Sequence, residues 1–353
     1  MRSKLCIALF AGMSLLTLGC SDDESGASGS SGSGGAGSGG SSGSGGQNGC
    51  STSSAAALRG CVDKASVVEG LTFVAQPRNP GSAHWQAVQD RCKSRFEESG
   101  FTVELHDYGT GVNVVGRKTG VEAPSEQVIV SAHYDHLPGC PGADDNASGV
   151  AAVLELARVV KNASFSRTLV LACWDEEETG LEGAEAYANR ARSQGDQIVV
   201  MYSIEMIGFR STVPDSQRIP AGLDLIFPEE YAKLQQGGFV GDFLTIIPDT
   251  SAAETGHRVE EHAAAIGLPT VYLEITAALK SNPAASDVQR SDHAAFWNTD
   301  FPALMLTDTS EFRNDNYHCR NGRVDSVDTL DLDFLTLNVQ ASVGSAADML
   351  GVR

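Results

Sequence analysis

Three short apolar runs, residues 128–132, 168–174 and 198–204, each end in groups that can hold a metal or a proton. The first delivers His133, the second the acids Asp175, Glu176, Glu177 and Glu178, and the third Glu205. Continuous apolar runs of this length suit strands buried on both faces. A helical pattern succeeds the first run over 149–161, with Val153, Leu154, Ala157 and Val160 on one face and Asn146 or Ser148 as its N-cap. Gly180-Leu181 opens another, reaching about residue 192. Strands alternating with helices build a mostly parallel sheet with right-handed crossovers. Ligands of such sheets bind beyond the carboxyl ends of the strands, where these polar groups fall. The expected fold is α/β, a mostly parallel (mixed) central sheet flanked by helices on both faces. An amphipathic helix over 85–98 ending at Gly100, strands at 101–105, 112–116, 270–275 and 303–307, and a terminal helix from Leu330 complete it.

The first sixth of the chain has a different character. Arg2 and Lys4 precede an apolar run over 5–18 that ends at Gly19-Cys20. This is the pattern of a signal peptide whose end resembles a lipobox, with Cys20 as the lipidated residue. Thr17 stands where a lipobox usually has Leu, so ordinary secretion is the alternative. Residues 21–49 are almost entirely Ser and Gly after Asp22-Asp23-Glu24, the composition of a flexible tether. The expected division is 1–19 signal peptide, 20–49 lipid-bearing cysteine and tether, and 50–353 a single domain. The expected location is the cell envelope, outer membrane or surface, otherwise secreted.

A formal charge of −20 excludes nucleic acid as a partner, because phosphate backbones select basic patches. Cys50, Cys61, Cys92, Cys140, Cys173 and Cys319 remain after Cys6 and Cys20 are set aside, and six cysteines allow fifteen connectivities. Cys50–Cys61 would close a local loop, Cys140–Cys319 would join two segments beside candidate ligands, and Cys173 within an apolar run reads as a buried thiol. None has the CxxC pairing of a structural zinc site.

Along the chain, His133-Tyr134-Asp135, Asp144-Asp145-Asn146, Glu177-Glu178, Glu205 and Tyr317-His318 supply two histidines, a shareable aspartate and further carboxylates. Zinc takes nitrogen from His and oxygen from Asp or Glu, and a catalytic site leaves one position open. The set suffices for a bridged pair of ions with one glutamate left as a base. Adjacent Glu177 and Glu178 point apart on an extended chain, so one faces metal and the other water. Asp135, two residues past His133, can accept the far N–H of that imidazole.

These motifs resemble the co-catalytic zinc aminopeptidase family, relatives of glutamate carboxypeptidase, glutaminyl cyclase and the transferrin receptor ectodomain. The resemblance runs over about 78–335 and rests on His133-x-Asp135, Pro141-Gly142-Ala143-Asp144-Asp145-Asn146-x-Ser148-Gly149, Glu177-Glu178-x-Gly180-Leu181, Ser291-Asp292-His293 and Tyr317-His318 with Asp325 and Asp328-Thr329. It implies a zinc-peptidase fold, two Zn2+ ions, and peptide substrates with a free N-terminus. Asp145 would bridge the ions, Glu178 and His318 would complete one site, His133 and Glu205 the other, and Glu177 would be the general base. Asp292 would support the site from outside, and Tyr317 would donate to the oxyanion. Glu205 departs from the family, which more often places Asp there.

Other groups read as structural: Asp144 and Asn146 serve the turn and helix cap, Asp175 and Glu176 are structural or solvated acids, and Arg78-Asn79-Pro80-Gly81 is an early turn. His257, Glu260, Glu261 and His262 read as a surface helix, since a spacing of five does not stack as HExxH does. Ser291 lacks a nucleophile elbow. The leading expectation is an aminopeptidase, with a one-zinc glutaminyl cyclase, a carboxypeptidase or a non-catalytic receptor-like domain as rivals.

Overall fold

The computed structural model describes residue 50 and residues 52–353, which belong to one compact unit; the segments read as signal peptide, lipid-bearing Cys20 and tether lie outside the described residues. Eight strands form one sheet: β1 (Thr102–Asp107), β2 (Val112–Lys118), β3 (Ala123–His133), β4 (Arg167–Trp174), β5 (Gln197–Ile204), β6 (Leu244–Pro248), β7 (Thr270–Tyr272) and β8 (Ala303–Thr307). Their order is β1-β2-β4-β3-β5-β8-β6-β7. The middle four, β4-β3-β5-β8, are parallel. An antiparallel β1–β2 hairpin pairs with β4 on one side, and β6 runs antiparallel to β8 on the other. The sheet is therefore mixed around a parallel centre.

Alternate side chains of these strands feed two apolar layers. Val128 and Val130 of β3 join one layer while Ile129 joins the other; on β4, Leu169 and Leu171 face opposite to Val170 and Trp174. The helices are α1 (Ala55–Arg59), α2 (Lys64–Val74), α3 (Ala83–Glu98), α4 (Gly149–Val159), α5 (Glu182–Gln194), α6 (Leu223–Ile226), α7 (Pro228–Gln236), α8 (Ala253–Ala264), α9 (Ala277–Lys280), α10 (His293–Asn298) and α11 (Leu332–Leu350). α2, α3, α4, α8 and α11 cover the first layer, and α5 and α10 the second. Caps explain several boundaries: Ser82 Oγ accepts from Trp85 N, and the Asp331 carboxylate accepts from Asp333 and Phe334 N.

Some expected boundaries shift. The strand expected over 270–275 pairs regularly only to Tyr272, continuing as an isolated bridge between Ile275 and Asp249. The helix expected from Gly180-Leu181 begins at Glu182, since Leu181 takes a positive φ of 63°. Asn146 caps α4 through a bond from Gly149 N, whereas the Ser148 hydroxyl donates to Asp144 O instead. His262 is not a surface residue: it is buried between Asp348 and Arg59, while His257 is exposed. Disulfides join Cys50 to Cys61 and Cys140 to Cys319, and Cys173 is a buried thiol beside Cys92.

Candidate active site

The parallel strands β3, β4 and β5 end side by side, and the residues just beyond them converge with the Tyr317-His318 turn. Asp145 stands between two groups of side chains. Its Oδ1 lies 3.2 Å from His133 Nε2 and its Oδ2 3.0 Å from His318 Nε2. Glu205 Oε2 is 3.3 Å from His133 Nε2, and Glu178 Oε2 is 3.2 Å from His318 Nε2. Glu177 Oε2 approaches His133 Nε2 at 3.9 Å. All five expected ligands and the expected base are thus brought together.

The backbone that presents Asp145 is held from three directions. Arg78, fully buried, donates to the carbonyls of Tyr134, Pro141, Gly142 and Asp145; the turn that sequence alone marked as structural thus anchors the site loop. The Asp325 carboxylate accepts from Asp144 N and Asp145 N at 3.0 and 3.1 Å. Burial and the Asp144 charge push Asp325 up to about 7. The Cys140–Cys319 disulfide ties the turn carrying His318 to the same loop. Gly142 has a φ of 54°, and a Cβ there would lie 2.2 Å from Asp145 O, so glycine alone fits.

Neighbouring groups set orientation. Ser291 Oγ donates to Glu205 Oε2 at 2.8 Å, and Asn146 Nδ2 also donates to that oxygen; Ser291 is a holder of Glu205 rather than a nucleophile. Asp135 stands beside His133, as expected, and also holds the neighbouring backbone. Its Oδ1 is 3.4 Å from His133 Nδ1 without hydrogen-bond alignment, while its carboxylate accepts from Glu177 N and Glu178 N at 3.0 and 3.2 Å. It therefore fixes the backbone that separates base from ligand. Asp292 is fully buried, and neither carboxylate oxygen has a hydrogen-bond partner among the described residues. Tyr317 stacks on His318 with ring centroids 3.7 Å apart, and its hydroxyl accepts from Arg290. Asp175 is structural, accepting from Trp85 Nε1 and Val112 N. Asp144 binds Gly208 N and Asn314 Nδ2 rather than facing the cluster.

The electrostatics are those of a cation cradle. Burial opposes ionisation of Asp145, yet His133, His136 and His318 around it hold its carboxyl well below the usual range. Glu177 is pushed well above it by burial, reinforced by Glu205, Asp292 and Glu178. Burial likewise raises Glu205. Both nitrogens of His133 and of His136, and Glu178 Oε1, are buried without hydrogen bonds among the described residues. Buried polar atoms left this way are costly unless a cation organises them. Two triads of donor atoms, His133-Asp145-Glu205 and His136-Asp145-Glu178, each fall within 4.8 Å. The donor set, nitrogen and carboxylate oxygen sharing one aspartate, fits zinc. Sequence reading missed His136; its signal was a second histidine three residues after His133.

A cavity of about 100 Å³ opens beside Asp145, Glu177, Glu205 and Tyr317. Its far wall is apolar, with Leu223, Phe243, Ile247, Leu273 and Met305 among the lining side chains. Arg218 and Arg290 also line it, but Arg290 pairs with Glu311 and Arg218 with Asp315.

Histidines and acids gathered at the ends of parallel strands beside an apolar cavity are the equipment of a metallopeptidase, a hydrolase, and the family match bears this out. The sequence pattern of Peptidase family M28 matches residues 113–342, and the chain belongs to that family. An Escherichia coli relative, the uncharacterized protein YfbL, is 28% identical over 267 residues, covering 71% of this chain and 77% of its own. A probable zinc metalloprotease of Pyrenophora tritici-repentis is 26% identical over 295 residues, covering 74% of this chain and 59% of that one. The Legionella pneumophila LapA aminopeptidase has the same fold, with a TM-score of 0.62 at 20% identity over 84% of this chain and 74% of that one.

Proposed function

We propose that the chain is a two-zinc aminopeptidase that removes residues from free peptide N-termini. One observation carries this reading: Asp145, Glu177, Glu205 and Tyr317 line the same cavity as the apolar wall. A substrate whose first side chain fills that wall sets its terminal amine among carboxylates. Among the described residues the cavity offers no unpaired arginine for a terminal carboxylate, since both lining arginines are engaged by acids. That supports amine rather than carboxylate recognition.

In this reading His133, Asp145 and Glu205 hold one ion, and Asp145, Glu178 and His318 the other. Two bound zinc ions would polarise the scissile carbonyl and acidify the attacking water. Glu177, its affinity for protons raised by burial, takes the water's proton and passes it to the leaving amine. The Tyr317 hydroxyl, kept protonated by burial, donates to the oxyanion of the substrate. Ser291 and Asn146 keep the Glu205 carboxylate in place, and Asp135 keeps Glu177 and Glu178 on separate tasks. Asp292, whose carboxyl burial pushes well above the usual range, stands beside His133 from outside the cluster.

We further propose the division read from sequence: a signal peptide over 1–19, a lipid anchor at Cys20, a tether to 49 and one catalytic domain over 50–353. Export to the cell envelope suits the two disulfides of the described residues. Among the described residues no helix is long and apolar enough to cross a membrane.

The deciding experiment assays release of amino acids from unblocked and N-acetylated peptides, before and after chelation and zinc return. Zinc-restored cleavage of unblocked peptides alone is the expected result. Cleavage indifferent to acetylation would mean a carboxypeptidase or endopeptidase. Silence on all peptides with zinc bound would point to cyclisation of N-terminal glutamine or to a binding role.

A further inference from the structure

His136 stands outside the ligand set assigned above, yet its side chain is fully buried against that set. Its Nδ1 lies 2.5 Å from Glu178 Oε1. That approach lacks the alignment of a hydrogen bond, and among the described residues neither ring nitrogen nor Glu178 Oε1 has another hydrogen-bond partner. The ring is wedged in place. Its edge meets His318 with centroids 5.8 Å apart, and a Cβ on Gly142 would come within 2.5 Å of its Cδ2. Gly142 therefore makes room for this imidazole as well as for the Asp145 loop. An imidazole packed against a carboxylate without hydrogen bonding is an arrangement that a shared cation would stabilise.

We propose that His136 is a fourth protein donor to the ion held by Asp145, Glu178 and His318, which makes the two metal positions unequal. This assignment rests on the two-zinc reading of the site. Four protein donors close a zinc site, whereas three leave a position for water. The position formed by His133, Asp145 and Glu205 is then the open one. Glu177 belongs to that side, with its Oε2 3.9 Å from His133 Nε2. The closed position binds the more tightly held ion and shapes the shared Asp145; the open position receives the attacking water. The His318 turn matters for the same reason, because the Cys140–Cys319 disulfide draws His318 toward the loop that leads on from His136.

The test measures bound zinc per chain after dialysis of the full protein against graded chelator, for wild type, His136→Gln and His136→Ala. Gln can hydrogen-bond Glu178 but is a poor zinc ligand, so it separates ligation from mere bracing. Zinc X-ray absorption counts the imidazoles around the metal in the same samples. The expected wild type loses its two ions in separate steps, and both variants lose about 10–100-fold in affinity at the tighter step. Their imidazole count falls from three per two ions to two. A two-ion wild type whose tight step and imidazole count survive in His136→Gln would overturn this inference alone. A wild type that binds no zinc would overturn the two-zinc reading along with it.

Discussion

The polar cluster and the apolar cavity share a boundary but are built by different parts of the chain. The cluster comes from residues at or just past the ends of β3, β4 and β5, joined by Asp145 from the segment before α4 and by one late turn at Tyr317-His318. The cavity wall comes from β6, β7 and β8 and from the segment carrying α6 and α7. Cluster residues are held by named bonds: Asp325 on the Asp145 loop, Ser291 on Glu205, Asp135 on the backbone of Glu177 and Glu178. The apolar side chains of the wall are held by packing on the β6-β7-β8 ladder. On the proposed reading, directional contacts fix the chemistry and the volume of the cavity sets side-chain preference. The two ought therefore to be separable by mutation.

The largest expected effect falls on the cluster. Glu177→Gln removes the proton acceptor without removing a proposed ligand, and should lower kcat by about 10²–10⁴-fold. Zinc content should be unchanged, and so should the ranking of peptides by their first residue. A variant that lost metal instead would place Glu177 among the ligands and erase the distinction from Glu178. A changed ranking would mean that the cluster also sets preference.

Ile247→Val probes the other side. It withdraws one methylene from the cavity wall, and such a change is worth about 1–3 kcal/mol in discrimination, or 10–200-fold. The kcat/KM ratio of phenylalanyl to valyl peptides should rise by roughly tenfold, with zinc affinity untouched. Combined with Glu177→Gln, its effect on the ratio should be additive, because the sites share no hydrogen-bond partner. Non-additivity would show that substrate seating and proton transfer are coupled through Glu177.

The same contrast accounts for which residues sequence alone could disclose. His133, Glu177, Glu178 and Glu205 were legible because a buried apolar run is visible in one dimension, and the polar residues at its carboxyl end must lie at the sheet's edge. Cys140 and Cys319 were legible because they flank candidate ligands. His136 was not, since it lies past the end of β3, where a period of two no longer tells which way a side chain points. Arg78 gave no sign of burial, because a guanidinium among carbonyls is a property of the tertiary fold. β6 escaped notice because it is five residues long and ends in Pro248, a residue that argues against strands. Leu223, Phe243 and Met305 look in sequence like any core residues, and only the assembled sheet shows that they line a cavity.

A third effect, on stability rather than activity, concerns the ground beneath the cavity. His293 on α10 is fully buried, with Nε2 against Val288 O and its ring edge-on to Trp297, and Val288 lines the cavity. Burial lowers its pKa to about 4, with Lys280 adding to the drop and Asp249 opposing it. The unfolded chain holds an ordinary histidine near 6.5, so between about 6.5 and 4 the unfolded state binds more protons. Stability must then fall as pH drops through that window, by roughly 2 kcal/mol from pH 7 to 5. Buried Asp308, raised by burial to about 7, acts oppositely, since its proton is retained on folding and stability from it is lost as pH rises. The measurement must be differential for that reason. Urea midpoints of wild type and His293→Gln, both kept in chelator so that metal release enters neither curve, should converge as pH falls from 7 to 5. Parallel curves would remove His293 from the account. They would leave the cavity's foundation indifferent to acid, and any acid sensitivity of the holoenzyme would then lie in the cluster alone.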